Sequence, residues 1–596
     1  MPDPADREGT ARAAHGPAFI DLAAAGRLVS SGSVLGVGGS LFTRIPLALV
    51  QSAITAGARD LTYVCWGGGL PLELLLQAEA IRKAVFCFSS LDLFGLAPRF
   101  RAALEGATIE VDEMNALAMV QAFEAAAQRL PSMPLQQPLG SDILERTELA
   151  QVTRDPLRGT EVVSAAALPL DVLLVHAQRA DEDGNLELAG SLAMDPLMIG
   201  ASRIVVASVE EIVPRRTLQQ AGRGTIIPRQ LVDAIVESPF GAYPTSCLPY
   251  YTSDYAELAD VLAAERLALP PPREPRGATL RRQAHAGVHA GGALPARPRV
   301  AGSARGAATP AECMAWTLAR EYRDESVCSA GAVSPLAVTS YLLAKRTHAP
   351  GLTLITTGGG YVDVAWRPML LGAGEALDFG SALSHATGDG TYHVFYQPGL
   401  ITHETIAAAQ IDRSGRVNNI EVTSPSGRAI RLPGQGGMAD VANMHRNFLL
   451  YVPRHSRLAL VDAVQITSAS RELVTDAERI AAGLLPGSVK LVTNLGVFEL
   501  DHETRQLELT GLQPGATLEA VRAETGFELI VSERCVSLAP PTADELDVLR
   551  REVDPIGLCR LEFVPAATRA ELLAEVIAGE QAWADELVAL VADRAS

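Results

Sequence analysis

The feature that most restricts how this chain can fold is a pattern that occurs twice. Residues 34–50 read VLGVGGSLFTRIPLALV, and Leu61 to Gly69 read LTYVCWGGG. In the second half, Ser326 to Gly360 read SVCSAGAVSPLAVTSYLLAKRTHAPGLTLITTGGG. Each copy is an apolar strand, a turn of small residues, a helix opened by proline, and a second strand ending in three glycines. A second pair follows in the same order. Ala177-Gln178 lead through Asp and Gly to Asn185, and Ala409-Gln410 lead through Asp and Gly to Asn418. Two matches in one order predict an internal duplication. Strands alternating with helices through glycine turns predict an α/β fold with largely parallel sheets. Ligands of such folds sit beyond the carboxyl ends of the strands.

Composition separates the two copies. Residues 269–309 are rich in Pro, Gly, Ala and Arg, with seven arginines and Glu274 as the single acid. Such a stretch cannot bury a core and reads as a linker, with a docking strip for an acidic surface as the alternative use of its arginines. The chain then divides into an N-terminal tail (1–17), a first α/β domain (18–268), the linker (269–309), a second α/β domain (310–565) and a C-terminal helix (566–596). That helix carries Leu572, Leu573, Val576, Ile577, Trp583, Leu587, Leu590 and Val591 on an apolar stripe. Packing on its own domain explains the stripe, and a homo-oligomer contact is the alternative use.

The net charge of −19 argues against a nucleic-acid partner, which requires a basic face. No apolar run is long enough for a membrane span, and the opening residues lack the apolar core of a secretory signal. Seven scattered cysteines without a CxxC pair read as reduced thiols of a cytoplasmic protein. The eleven histidines show no ligand spacing, so no metal site is expected.

Three segments carry residue types suited to chemistry. Gly38 and Gly39 precede a helix start whose amides could hold an anion, and an ordinary tight turn is the competing reading. Gly434, Gly436 and Gly437, in LPGQGGMAD, form a loop that presents backbone N–H groups to a phosphate or a developing oxyanion. The acidic cluster Glu110, Asp112 and Glu113 ends a strand. If alternate residues share a face, Ile109, Val111 and Glu113 point inward, and Glu113 is either a buried general base or the cap of the next helix.

Taken together, these segments resemble the family I CoA-transferases of the glutaconate type, with the two usual subunits fused. The first half resembles the A subunit through VGGSLFTRIPLAL, FGLAPRFRAALEGATIEVDE, HAQRADEDGN and IIPRQLVDAIVESPFGAYPTS. The second resembles the B subunit through SPLAVTSYLLAKRTHAPGLTLI, AQIDRSGRVNN, LPGQGGMADVA and VKLVTNLGVFELD. The resemblance implies two pseudo-symmetric α/β domains with the active cleft between them. It also implies an acyl-CoA substrate and no permanently bound cofactor.

One departure bears on activity. Family members place a catalytic glutamate shortly after the motif seen here as Lys345 to Pro350. That position is Thr357, and residues 352–362 contain no acid. Threonine cannot form the acyl anhydride through which the transferases work. A branch that lacks this glutamate, the steroid ring-opening hydrolases, adds water to a cyclic β-keto acyl-CoA and is thought to use an acid of the A subunit. The resemblance therefore implies a hydrolase. Glu113 is the choice for its base with Glu110 and Asp112 as alternatives, Thr357 contacts the substrate, and Gly358 and Gly359 help to hold the thioester oxygen. CoA transfer to a free carboxylic acid is the second reading, and a non-catalytic acyl-CoA binder the third. His385, His393, His403, His445 and Arg446 are polar residues that could line the acyl pocket.

Overall fold

A computed structural model describes residues 16–135, 140–221, 224–273, 306–331, 334–356, 359–424 and 426–595. Thr357, Gly358, nearly all of the tail before residue 18 and most of the 269–309 segment lie outside the described residues.

Each half is built on a ten-stranded sheet. In the first, Ala18–Phe19, Ala234–Glu237, Ser202–Val213, Leu170–Asp181, Val34–Val37, Leu61–Gly68, Ile81–Ser89 and Glu110–Glu113 follow one another, all parallel. The second has a parallel centre in the order Thr353–Thr356, Val327–Ala330, His403–Ala407, Asn447–Val452, Val489–Thr493. Antiparallel neighbours flank this centre on both sides. The central strands are covered on both faces, so they read as nearly continuous apolar runs, as in Leu173 to Val175.

The duplication is visible in this order. The strand set 234–202–170–34–61 of the first sheet corresponds to 489–447–403–327–353 of the second, named by first residues. Equivalent turns are built alike. Asp181 Oδ1 accepts the amides of Asp183 and Asn185 (3.0 and 2.8 Å), and Asp412 Oδ1 those of Ser414 and Arg416 (2.9 and 3.1 Å). Gly184 and Gly415 close the two turns at φ +93° and +75°.

Local readings hold where turn chemistry is explicit. Pro335 opens the helix Pro335–Arg346, and Lys345 and Arg346 close it, complementing the helix dipole. Asn115 caps Ala116–Ala127 by accepting the Ala118 amide. The aromatic run YHVFY, whose residue types suit a strand, forms a turn of π-helix, Tyr392–Tyr396. A short aromatic run does not distinguish a buried helical turn from a strand. One hydrophobic core spans both halves, joining Met114, Leu117 and Phe123 to Tyr392, Met438 and Phe448. The closing helix Ala566–Ala595 buries Leu573, Val576 and Trp583 against a second core. Among the described residues no helix is long and apolar enough to cross a membrane.

Candidate functional site

The loop 433–437 of the second half is stitched onto the first. The Ser89 amide donates to the Pro433 carbonyl (2.9 Å), the Gly436 amide to that of Cys87 (2.9 Å), and the Ala116 amide to that of Gly436 (3.1 Å). Gly434 and Gly436 take φ of +108° and +56°. A Cβ on Gly434 would stand 2.9 Å from the Cys87 carbonyl oxygen and 3.1 Å from Glu113 Oε1. Glycine is needed here both for its backbone and for the close approach. The amides of Gln435 and Gly437 find no protein acceptor among the described residues.

This loop borders a cavity of about 740 Å³ between the halves. From the first half come Trp66 and Cys87 at strand ends and the segment 92–96. From the second come Gly331, Tyr392, Tyr396 and Glu404, and from the closing helix Arg569 and Leu573. The walls are mostly apolar with a few polar groups, the usual make-up of a small-molecule site.

The residues expected from sequence fall in three places. Gly434, Gly436 and Gly437 border the cavity. Glu113 lies directly under Gly434, buried, with Oε1 accepting from Arg431 (2.5 Å) and Oε2 from Arg146 (3.2 Å). Asp112 is also buried and accepts from Thr147 (2.5 Å), while Glu110 is exposed and pairs with Arg82. The expected strand face does not hold. Val111 is 44% exposed and Asp112 is buried, because Glu110–Glu113 is the edge strand and the segment 142–147 covers its opposite face.

Gly38, Gly39 and Gly359 lie elsewhere. The anion at the Gly38-Gly39 turn is the protein's own. Asp195 accepts the Gly39 amide (2.8 Å) and forms a buried pair with Arg44 (2.8 Å). A Cβ on Gly38 would meet Asp195 Oδ1 at 2.8 Å, so the turn is already filled. Beside it, half-buried Glu375 of the second half accepts from Thr43 and Ser246, both at 2.9 Å. Gly359 packs against Thr356 and Tyr361.

None of His385, His393, His403, His445 and Arg446 borders the cavity. His445 lies one layer behind it, stacked edge-on to Tyr396, with Nδ1 3.5 Å from Glu404 Oε2 and no hydrogen bond on either ring nitrogen. Burial holds its pKa well below the usual histidine value. One grouping of metal-ligand type occurs among the described residues, His176 with Glu210 and Cys247. Both ring nitrogens of His176 are hydrogen-bonded, to Ser208 (2.8 Å) and Glu210 (2.7 Å).

Sequence reasoning passed over Glu404, Tyr396 and Trp66. Glu404 is buried on the strand His403–Ala407, and Tyr396 donates to its Oε2 at 2.7 Å. Burial raises its carboxyl to about 7. Asp440, buried and accepting from Asn115 (3.1 Å), is raised by the same cause to about 7. An acid inside the apolar run ITHETIAAA was the available signal.

Comparison with known proteins agrees with this architecture. The family model described as "Coenzyme A transferase" matches residues 20–238 and 312–524. An uncharacterized protein of Archaeoglobus fulgidus is 31% identical over 245 residues, 41% of this chain, and the chain spans only 55% of its length. The "Cholesterol ring-cleaving hydrolase IpdA subunit" of Rhodococcus jostii is 34% identical over 245 residues, covering 38% of this chain and 82% of that subunit. An acyl-CoA transferase of Escherichia coli O157:H7, solved as a thioester complex with CoA, superposes with a TM-score of 0.65 at 15% identity, over 88% of this chain and 95% of that one. With both of its halves matched, the chain belongs to the coenzyme A transferase family, with A-like and B-like halves fused.

Proposed function

We propose that this chain is an acyl-CoA hydrolase that opens a cyclic β-keto acyl-CoA by adding water, and that it does so in the cavity between its halves. One observation carries the reading. The position that the family resemblance assigns to the transferases' glutamate is Thr357, with no acid from 352 to 362. The glutamyl thioester of the transfer mechanism has no residue to form on there. The name of the Rhodococcus jostii relative, a ring-cleaving hydrolase subunit, points the same way. The substrate is a CoA thioester, and the chemistry asks for no resident cofactor.

The parts suit that chemistry. The mostly apolar walls suit a ring. The free amides of Gln435 and Gly437 are available to an oxyanion. Glu113, fixed by Arg431 and Arg146, supports the loop from beneath, and as the acid chosen from sequence it is one candidate for the base. A β-keto group makes the ring bond cleavable, since the departing carbon becomes an enolate conjugated with the thioester.

CoA transfer is the second reading, favoured by one observation: a carboxyl group, Glu404, does stand in the cavity wall. The test is to incubate the protein with an acyl-CoA and excess succinate, with and without borohydride. A hydrolase forms no succinyl-CoA and is indifferent to borohydride. A transferase forms succinyl-CoA and is inactivated as its glutamyl thioester is reduced.

A further inference from the structure

The cavity walls hold two carboxyl side chains, Asp92 and Glu404. Asp92 is only partly buried, in the 92–96 segment near Arg569. Glu404 is 4% exposed and sits within a strand whose next three residues, Thr405, Ile406 and Ala407, also border the cavity. Gly331, also on the wall, offers no side chain to cover it. A Cβ there would come within 3.2 Å of Glu404 Oε1. Behind the carboxyl, Ser329 Oγ lies 2.8 Å from the Tyr396 hydroxyl, which donates to Oε2. Among the described residues, the acid is thus held on one side by a hydrogen-bonded chain and faces the Gly331 backbone on the cavity side.

We infer that Glu404, rather than an acid of the 110–113 cluster, is the group that takes and returns the proton during ring opening. This rests on the hydrolytic reading above. Both oxygens of Glu113 already accept guanidinium hydrogens, and Glu113 is not among the residues that line the cavity. Asp440 is turned toward Asn115 and is not part of the wall. Glu404 carboxylate takes a proton from water, and the oxygen of that water bonds to the ring ketone carbon. The resulting alkoxide collapses, breaking the bond to the carbon that bears the thioester. The electron pair moves onto that carbon as a thioester enolate, and the Glu404 carboxylic acid returns its proton there. The ketone carbon leaves as a carboxylic acid with CoA still attached at the other end of the opened chain.

The charged and titratable groups facing Glu404 are Tyr396 and Tyr392 from the π-helical turn, His445 and Asp440 from the helix Met438–Met444 and its end, and Tyr341 from the helix Pro335–Arg346. Of these, Tyr396 lowers the carboxyl by hydrogen bonding and Asp440 raises it.

The test uses the full chain and a synthetic cyclohexanone-carboxyl-CoA, with CoA binding measured by calorimetry. Glu404→Gln should lower ring opening by ~10²-fold or more, because a positioned base supplies about that much. CoA binding should be unchanged. Tyr396→Phe removes the hydrogen bond that lowers the carboxyl, so the alkaline-rising limb of the rate should move to higher pH, and this readout serves should Glu404→Gln fail to fold. Ring opening by wild type that survives in Glu404→Gln, or a pH limb unmoved in Tyr396→Phe, overturns the assignment alone. Absence of ring opening in wild type overturns the hydrolytic reading and the assignment with it.

Discussion

A carboxyl group kept for acid–base work inside a protein costs stability, and Glu404 offers a way to measure that cost. Its ordinary value is near that of an exposed glutamate, and burial raises it to about 7. Folding therefore favours the protonated form. The contribution is most favourable below the unfolded value, declines as pH rises from about 4.5 to about 7, and is flat above. Glu404→Gln removes the titration. The variant should match wild type in chemical denaturation at pH 4.5 and exceed it at pH 8 by on the order of 3 kcal/mol. Equal stability of the two proteins at both pH values would mean that the carboxyl is solvated. Arg431 tests the opposite case. It is buried beside Glu113 with 2.5 Å between them, and Arg431→Ala leaves a buried carboxylate with Arg146 alone. Losing one partner of a buried pair costs about 3–5 kcal/mol, so the midpoint of urea unfolding should fall sharply.

At the scale of elements, the glycine loop is the most exacting piece of the site. Gly434→Ala places a methyl against the Cys87 carbonyl and asks alanine for φ +108°. The expected loss is about 1–3 kcal/mol of stability, with a larger relative loss of turnover because the loop must move off the strand end at 87–89. Unchanged thermal stability and turnover in this variant would show that the loop has room to relax. The loop was legible in the sequence because three glycines in four positions admit neither helix nor strand interior. The turns closed by Gly184 and Gly415 were legible for the same kind of reason. Glu113 was found by an argument whose geometry fails, since Val111 faces outward on an edge strand. It is buried because Arg431 arrives from a segment more than three hundred residues away, and local pattern carries no trace of that contact. Tyr396 was hidden by the same limit, its aromatic run fitting strand and helical turn equally well.

At the scale of the molecule, the two halves share one core and one cavity, and neither wall is complete without the other. The 269–309 segment, as read from sequence, contributes charge and length rather than core. Residues 1–268 and 309–596 produced as separate chains should therefore co-purify as a complex and retain most of the activity of the fused protein. Two soluble halves that do not associate, or that aggregate, would show that the covalent connection is needed to build the cavity.

The most direct test of the account follows the atoms. Wild-type protein is given a cyclic β-keto acyl-CoA in oxygen-labelled water with excess succinate, and the products are weighed by mass spectrometry. The account predicts an opened acyl chain that still carries CoA, with one labelled oxygen in its new carboxylate and no succinyl-CoA. Succinyl-CoA with an intact, unlabelled ring acid would contradict it and make the cavity a site of CoA transfer.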